Sequence, residues 1–324
     1  MKPACLIPAM FAILGVRASG EVVRVDPALD QIVSEAAQIE KVAGGFAFTE
    51  GPIWARDGYL LFSDIPNNVI QKWTPEGKVS LFRKPSGYDK TDAPKGAFIG
   101  SNGLTLDREG RLTICEHGNG RVTRIEKDGK LTVLAAKYEG KRLNSPNDAV
   151  YKSNGSLYFT DPPYGLPKED QDPKKELPFN GIYRIADGVL QLLSKELTRP
   201  NGLAFSPDEK YLYVANSDPA RKIWMRFEVK LDGTISKGRV FYDVTRRTEE
   251  GLPDGMKVDR RGNLYCTGPG GVWIFSPTAK HLGTIRLPET PANCAWGDAD
   301  GKTLYTTART SLYRIRLNVE GVRP

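Results

Sequence analysis

The chain has 324 residues, of which 40% are hydrophobic and 26% charged, with 33 Gly and 23 Pro. This is the make-up of a globular protein with an ample core and many turns, and it excludes a disordered or fibrous chain. The net charge of +7 is scattered among acidic residues without a Lys/Arg block, which argues against a nucleic-acid or membrane-surface partner.

At the start, Lys2 precedes an apolar run over 3–16, followed by the small-x-small pair Val16 and Ala18. This pattern predicts a secretory signal peptide over 1–18 with cleavage near Ala18, and hence a periplasmic or secreted protein. The run is shorter than the ~20 apolar residues a membrane span requires, and no later stretch approaches that length. Residues 19–45 read as an N-terminal arm, with a helical stretch at 30–42. Of the four cysteines, Cys5 lies in the leader. Cys115, Cys266 and Cys294 form neither a disulfide framework nor a zinc-finger spacing. Pairing of Cys266 with Cys294 is one reading, and three small core residues the other.

From 46 to 324 one pattern recurs six times: a polar opener, a short apolar strand, a turn, a second strand, a small loop and a third strand. The openers are Glu50, Asn102, Asn147, Asn201, Asp254 and Asn293. Turns rich in Gly, Asn and Asp follow, such as Arg56-Asp57-Gly58 and Ser153-Asn154-Gly155, as hairpins needing positive φ demand. The openers lie 39–54 residues apart, which is the period of propeller blades. The expected fold is therefore all-β, a six-bladed β-propeller.

In a propeller the first strand of each blade lines the axis, so the six openers share one depth of a central channel. Two carboxylates and four amides at that depth make a hard-cation site: calcium takes such oxygen ligands, whereas zinc prefers His or Cys. Asn-Gly and Asp-Gly pairs are also ordinary turn formers. A turn residue, however, has no reason to recur at the same blade position. Two acids facing one another across a channel also repel unless protonated or bridged by a cation.

Five segments carry a resemblance to a known family: Thr49-Glu50-Gly51-Pro52, Ser145-Pro146-Asn147-Asp148-Ala149-Val150, Phe159-Thr160-Asp161-Pro162-Pro163-Tyr164-Gly165, Arg199-Pro200-Asn201-Gly202-Leu203 and Leu252-Pro253-Asp254-Gly255-Met256. In their order and spacing they resemble the gluconolactonase, regucalcin and luciferin-regenerating-enzyme family, with diisopropyl fluorophosphatase as a structural relative. The resemblance implies a metal-dependent lactone hydrolase whose metal, calcium with magnesium or zinc as alternatives, is held by Glu50, Asn147, Asn201 and Asp254. It further implies that Asn147 touches substrate as well as metal and that Asp254 is the general base. At Ser145 the chain departs from the family, which carries a substrate-contacting Arg there; Arg142 is the candidate in its place, with Arg121 behind it.

The loops after the second strands lie on the same face and hold Asp64, Glu116, His117, Asp161, Tyr164 and Asn216. His117, Asp161 and Tyr164 are therefore candidate substrate contacts, with His117, Asp161 and Glu116 as rival bases. The insertion over 164–181 reads as a lid. Gly255, next to Asp254, is read as leaving room for substrate. No Gly-x-Ser-x-Gly elbow is present, so a serine hydrolase has no support. The expected partner is a small-molecule lactone. A phosphotriesterase-like or other esterase on the same site, or a non-catalytic calcium-stabilised binding propeller, are the alternatives.

Overall fold

The computed structural model describes residues 20–324; the leader predicted over 1–18 and Cys5 fall outside them. Six antiparallel sheets surround one axis, a six-bladed β-propeller. Blade one runs through Thr49–Ala55, Tyr59–Asp64, Val69–Trp73 and Val79–Arg83, and blade two through Ser101–Leu106, Leu112–Glu116, Arg121–Ile125 and Leu131–Ala135. Blade three comprises Ala149–Tyr151, Leu157–Asp161, Gly181–Ala186 and Val189–Ser194. Blade four comprises Pro200–Phe205, Tyr211–Asp218, Arg221–Glu228 and Arg239–Asp243. Met256–Val258, Leu264–Gly268, Gly271–Phe275 and His281–Arg286 form blade five, and Pro291–Gly297, Thr303–Ala308 and Ser311–Arg316 the inner three strands of blade six.

Each blade is too thin to bury its own faces, so the core lies between blades. Blades four and five are joined by Trp224, Trp273, Phe275 and Phe241, and Trp224 meets Phe275 edge-on at 5.3 Å. Blades one and six are joined by Trp54, which stacks on Tyr305 with ring centroids 5.4 Å apart. Each fully buried aromatic contributes roughly 2–3 kcal/mol by removing apolar surface from water, so the blade-to-blade seams carry much of the stability.

The segment expected as an arm outside the propeller is part of it. Ile39–Gly44 is the outer strand of blade six, with Ile39 opposite Ile315 and Glu40 opposite Arg314, and Glu21–Arg24 adds a fifth strand to blade five. The helical stretch expected at 30–42 reduces to one 3-10 turn, Pro27–Gln31, capped by Asp26 Oδ1 accepting from the Ala28 N–H. Leu29, Ile32 and Val33 show the i, i+3, i+4 spacing of a helix because a single turn drops them into the seam between blades five and six. Beyond them, pairing with a free sheet edge overrides local propensity. Cys115, Cys266 and Cys294 are buried free thiols, so Cys266 and Cys294 do not pair. No helix among the described residues is long and apolar enough to cross a membrane.

Candidate functional site

The openers are held at the axis by a repeated side-chain relay. Near the end of a second strand a hydroxyl reaches sideways to an opener carbonyl, or that of its neighbour, in the next blade. Ser63 Oγ donates to Asn102 O (2.7 Å), Thr160 Oγ1 to Asn201 O (2.8 Å), Thr267 Oγ1 to Ala292 O (2.7 Å), and Ser217 Oγ to Pro253 O. These bonds satisfy buried polar groups and lock adjacent blades in register.

The glycine after an opener is a consequence of the same crowding. A Cβ on Gly51 would lie 2.0 Å from Asn102 O, and one on Gly255 would lie 2.0 Å from Asn293 Cγ. The recurrent Glu-Gly and Asp-Gly pairs therefore mark close approach between blades as well as turn chemistry. Gly255 makes room for Asn293, not for substrate as expected.

Glu50, Asn147, Asn201 and Asp254 line one cavity of about 310 Å³ at one end of the channel, together with Asn102, His117, Tyr164, Glu169, Ser217, Phe48, Ile65, Phe98 and Leu252. Glu50 is buried, and Asp254 keeps partial exposure. Burial pushes the Glu50 carboxyl up to about 7, aided by the Asp148 charge and opposed by the Gly51 N–H and Asn293. Burial likewise raises Asp254, with the charges of Glu50 and Asp148 adding to it. The Asn201 amide donates through Nδ2 to Ser217 Oγ (2.9 Å), which orients its carbonyl oxygen.

Among the described residues no group of three or more His, Cys, Asp and Glu is arranged to hold a metal. The donors on this cavity are two carboxylates mixed with amides. That set suits a hard cation and not a soft one.

Two charged residues at this level were missed from sequence. Asp148 is buried, and Asn293 Nδ2 donates both to Glu50 Oε2 (3.0 Å) and to Asp148 Oδ2 (3.3 Å). The Lys257 charge lowers both Glu50 and Asp148, and its Nζ donates to Met256 O (3.0 Å). Reading one opener per blade hid Asp148, although it stands beside Asn147. Lys257 looked like a solvated strand residue.

The loop candidates divide. His117 is buried in the cavity wall, its Nε2 3.1 Å from Asn102 Nδ2, so a neutral imidazole accepts there. Burial pulls its pKa down to about 4. Tyr164 lines the cavity as well, its hydroxyl buried without a hydrogen bond among the described residues.

Asp161 and Arg142 do not line it, contrary to expectation. Asp161 Oδ2 caps the Asn144 N–H (2.8 Å), as Asp64 Oδ1 caps Phe48 N (3.2 Å) and Asn216 Oδ1 caps Arg199 N (2.8 Å). The end of a second strand thus carries a loop cap in three blades, and the acids there are scaffold. Burial still raises Asp161 to about 7. Arg142 donates to the carbonyls of Leu143 (2.6 Å), Asn144 (2.5 Å) and Gly118 (2.9 Å), which ties two loops together. Arg121 is paired with Glu116 (2.7 Å), whose other oxygen takes the Thr123 hydroxyl (2.6 Å), so neither is free for chemistry.

Residues 48–310 match the family described as the SMP-30/gluconolactonase/LRE-like region. A gluconolactonase of Zymomonas mobilis is 39% identical over 314 residues, covering 93% of this chain and 87% of its own. A solved gluconolactonase of Xanthomonas campestris superposes with a TM-score of 0.79 at 33% identity, covering 93% of this chain and 99% of its own. Regucalcin of Agrobacterium tumefaciens, described as a calcium-binding protein, shares the fold with a TM-score of 0.70 at 20% identity, over 89% and 96% of the two chains.

Proposed function

This chain belongs to the SMP-30/gluconolactonase/LRE-like family and is a lactone hydrolase; on that premise we propose that it opens a sugar lactone in the cavity ringed by Glu50, Asn147, Asn201 and Asp254, with a divalent cation held by those four side chains. The observation that carries the reading is the meeting of two raised carboxylates and two amides on one cavity. Two acids in that setting stay ionised together only beside a positive charge. Lys257 serves Asp148 as much as Glu50, so the ring itself is left short of one. Calcium suits the donors best, magnesium takes the same kind of ligand, and zinc lacks its preferred His or Cys.

When bound, such a cation polarises the lactone carbonyl. Asp254, the carboxylate of the pair that keeps exposure to the cavity, accepts a proton from the attacking water. The oxygen of that water bonds to the carbonyl carbon, the ring C–O bond breaks, and the proton passes to the departing ring oxygen to leave a hydroxy acid. Asn147 orients the substrate, and the neutral His117–Asn102 pair, with Tyr164, forms the polar wall around it. The predicted leader supports reading the protein as periplasmic or secreted.

A panel of lactones, phosphotriesters and simple esters, assayed with and without chelator, tests this. Lactone turnover that chelation abolishes and calcium restores is expected, together with weakened calcium binding by Glu50→Gln. Preferential turnover of phosphotriesters would favour the esterase alternative, and binding without turnover of any panel member a non-catalytic propeller. Lactone turnover indifferent to chelator would remove the metal from the reading.

A further inference from the structure

The insertion after the second strand of blade three does more than cover the cavity. At its root, Ser145 Oγ donates to Pro162 O (2.6 Å) and accepts from the Gly165 N–H (2.9 Å). A Cβ on Gly165 would lie 2.6 Å from His117 Cβ, so the insertion is seated against the cavity wall. Farther on, Glu169 lines the cavity and takes a left-handed backbone, φ 47°, which a residue with a side chain adopts only when its surroundings enforce it.

Arg199, two positions before Asn201, holds the side chain of Glu169. The Arg199 guanidinium lies 2.9 Å from Glu169 Oε2 and 3.0 Å from Asp170 Oδ2, and stands over the Tyr164 ring at 5.7 Å. Asp170 is held again by Asn180 Nδ2 (3.1 Å). The cavity also has an apolar lining, Phe48, Ile65, Phe98 and Leu252, with Phe48 and Phe98 edge-to-face at 5.0 Å.

We propose that Tyr164 and Glu169, locked in place by Arg199, are the wall that recognises the ring hydroxyls of a polyhydroxylated lactone, while the apolar wall takes the ring's C–H face. This rests on the lactone-hydrolase reading and adds the source of its selectivity. The Tyr164 hydroxyl has no hydrogen bond among the described residues, and the Glu169 carboxylate supplies acceptors beside it. A site built to bond hydroxyls rejects an analogue lacking them because its own polar groups are then left unpaired. Arg199 acts through the other two and is a positioning residue.

The test compares glucono-δ-lactone with unsubstituted δ-valerolactone, with kcat and KM measured for wild type, Tyr164→Phe, Glu169→Ala, Glu169→Gln and Arg199→Met. Tyr164→Phe removes one hydroxyl and keeps the ring beneath Arg199, so folding is little at stake. For Tyr164→Phe and Glu169→Ala, KM for the hydroxylated lactone is expected to rise about 10-fold more than KM for the plain lactone. Glu169→Gln, which keeps one acceptor, should recover part of that loss. Arg199→Met keeps the aliphatic stem but removes the nitrogen that holds both carboxylates, and should raise the same KM. An unchanged ratio of kcat/KM between the two lactones, or parallel losses on both, overturns the proposal and leaves the lactone-hydrolase reading standing. A wild-type protein that opens neither lactone overturns both.

Discussion

Replacing Arg142 by Met keeps the aliphatic stem and removes the guanidinium, which asks whether this residue is scaffold or substrate contact. The group donates three hydrogen bonds, to the carbonyls of Gly118, Leu143 and Asn144 at 2.5–2.9 Å. A bond from a charged donor contributes roughly 1.5–3 kcal/mol, so the gross loss is ~5–9 kcal/mol. Burial pulls the Arg142 pKa down from arginine's ordinary value, and this desolvation, no longer incurred in the variant, offsets part of it. A net loss of about 3 kcal/mol remains, or a Tm lowered by about 4–5 °C in a chain this size. Thermal unfolding read by circular dichroism gives that number, and lactone kinetics well below the transition give KM. The expected result is a less stable protein with KM close to wild type. Full stability combined with a KM raised about 10-fold or more would refute the scaffold role and return Arg142 to the substrate.

Asp254→Asn should keep the fold and lose kcat by about 10²-fold or more, and full turnover with calcium present would make Asp254 a ligand only. Asn147→Ala should impair calcium affinity and kcat together; loss of one without the other in titration calorimetry and kinetics would separate the two roles. Glu289 gives a pH prediction. Burial alone would raise its carboxyl, but the Ser311 and Thr310 hydroxyls, the Thr310 N–H and the Tyr313 hydroxyl together hold it down to about 2. Because the folded value lies below the ordinary 4.5, its stabilisation is fully present above about pH 4.5 and is lost as pH falls towards 2. Glu289→Gln should thus cost about 1 kcal/mol at pH 7, allowing for solvent screening, and almost nothing near pH 2, and a pH-independent difference in urea unfolding would contradict this. Finally, protein recovered from its own host should begin near Ser19 by mass spectrometry, and an intact Met1 would end the export reading.

The blade count was legible because each blade repeats the same local conflict: a short strand must start at a crowded axis, and only a polar residue beside a small one fits. Glu50-Gly51 and Asp254-Gly255 record that conflict in sequence. What the Gly255 gap is for was not legible, since its neighbour Asn293 belongs to another blade. Likewise Asp161 and Tyr164 stand three residues apart on one loop, yet one caps backbone and the other lines the cavity. Loop direction decides that, and loop direction is set by contacts distant in sequence. Glu169 was hidden in a stretch of mixed charge, where its fixed orientation depends on Arg199, thirty residues on. The outer strand Ile39–Gly44 was missed because what makes it a strand is an empty sheet edge more than 260 residues downstream.

That last pairing has a consequence for the order in which the molecule is made. Ile39–Gly44 leaves the ribosome more than 260 residues ahead of its partner Ser311–Arg316. Blades one to four, and the four inner strands of blade five, can zip from neighbouring segments as they appear, with low loop-closure cost. Blade six forms only once Ser311–Arg316 has been made, so Ile39–Gly44 spends the interval as an unpaired edge open to other chains. The charged pair at the junction, Glu40 with Arg314, suits that interval, because charges on a waiting edge discourage pairing with other chains until the right one arrives.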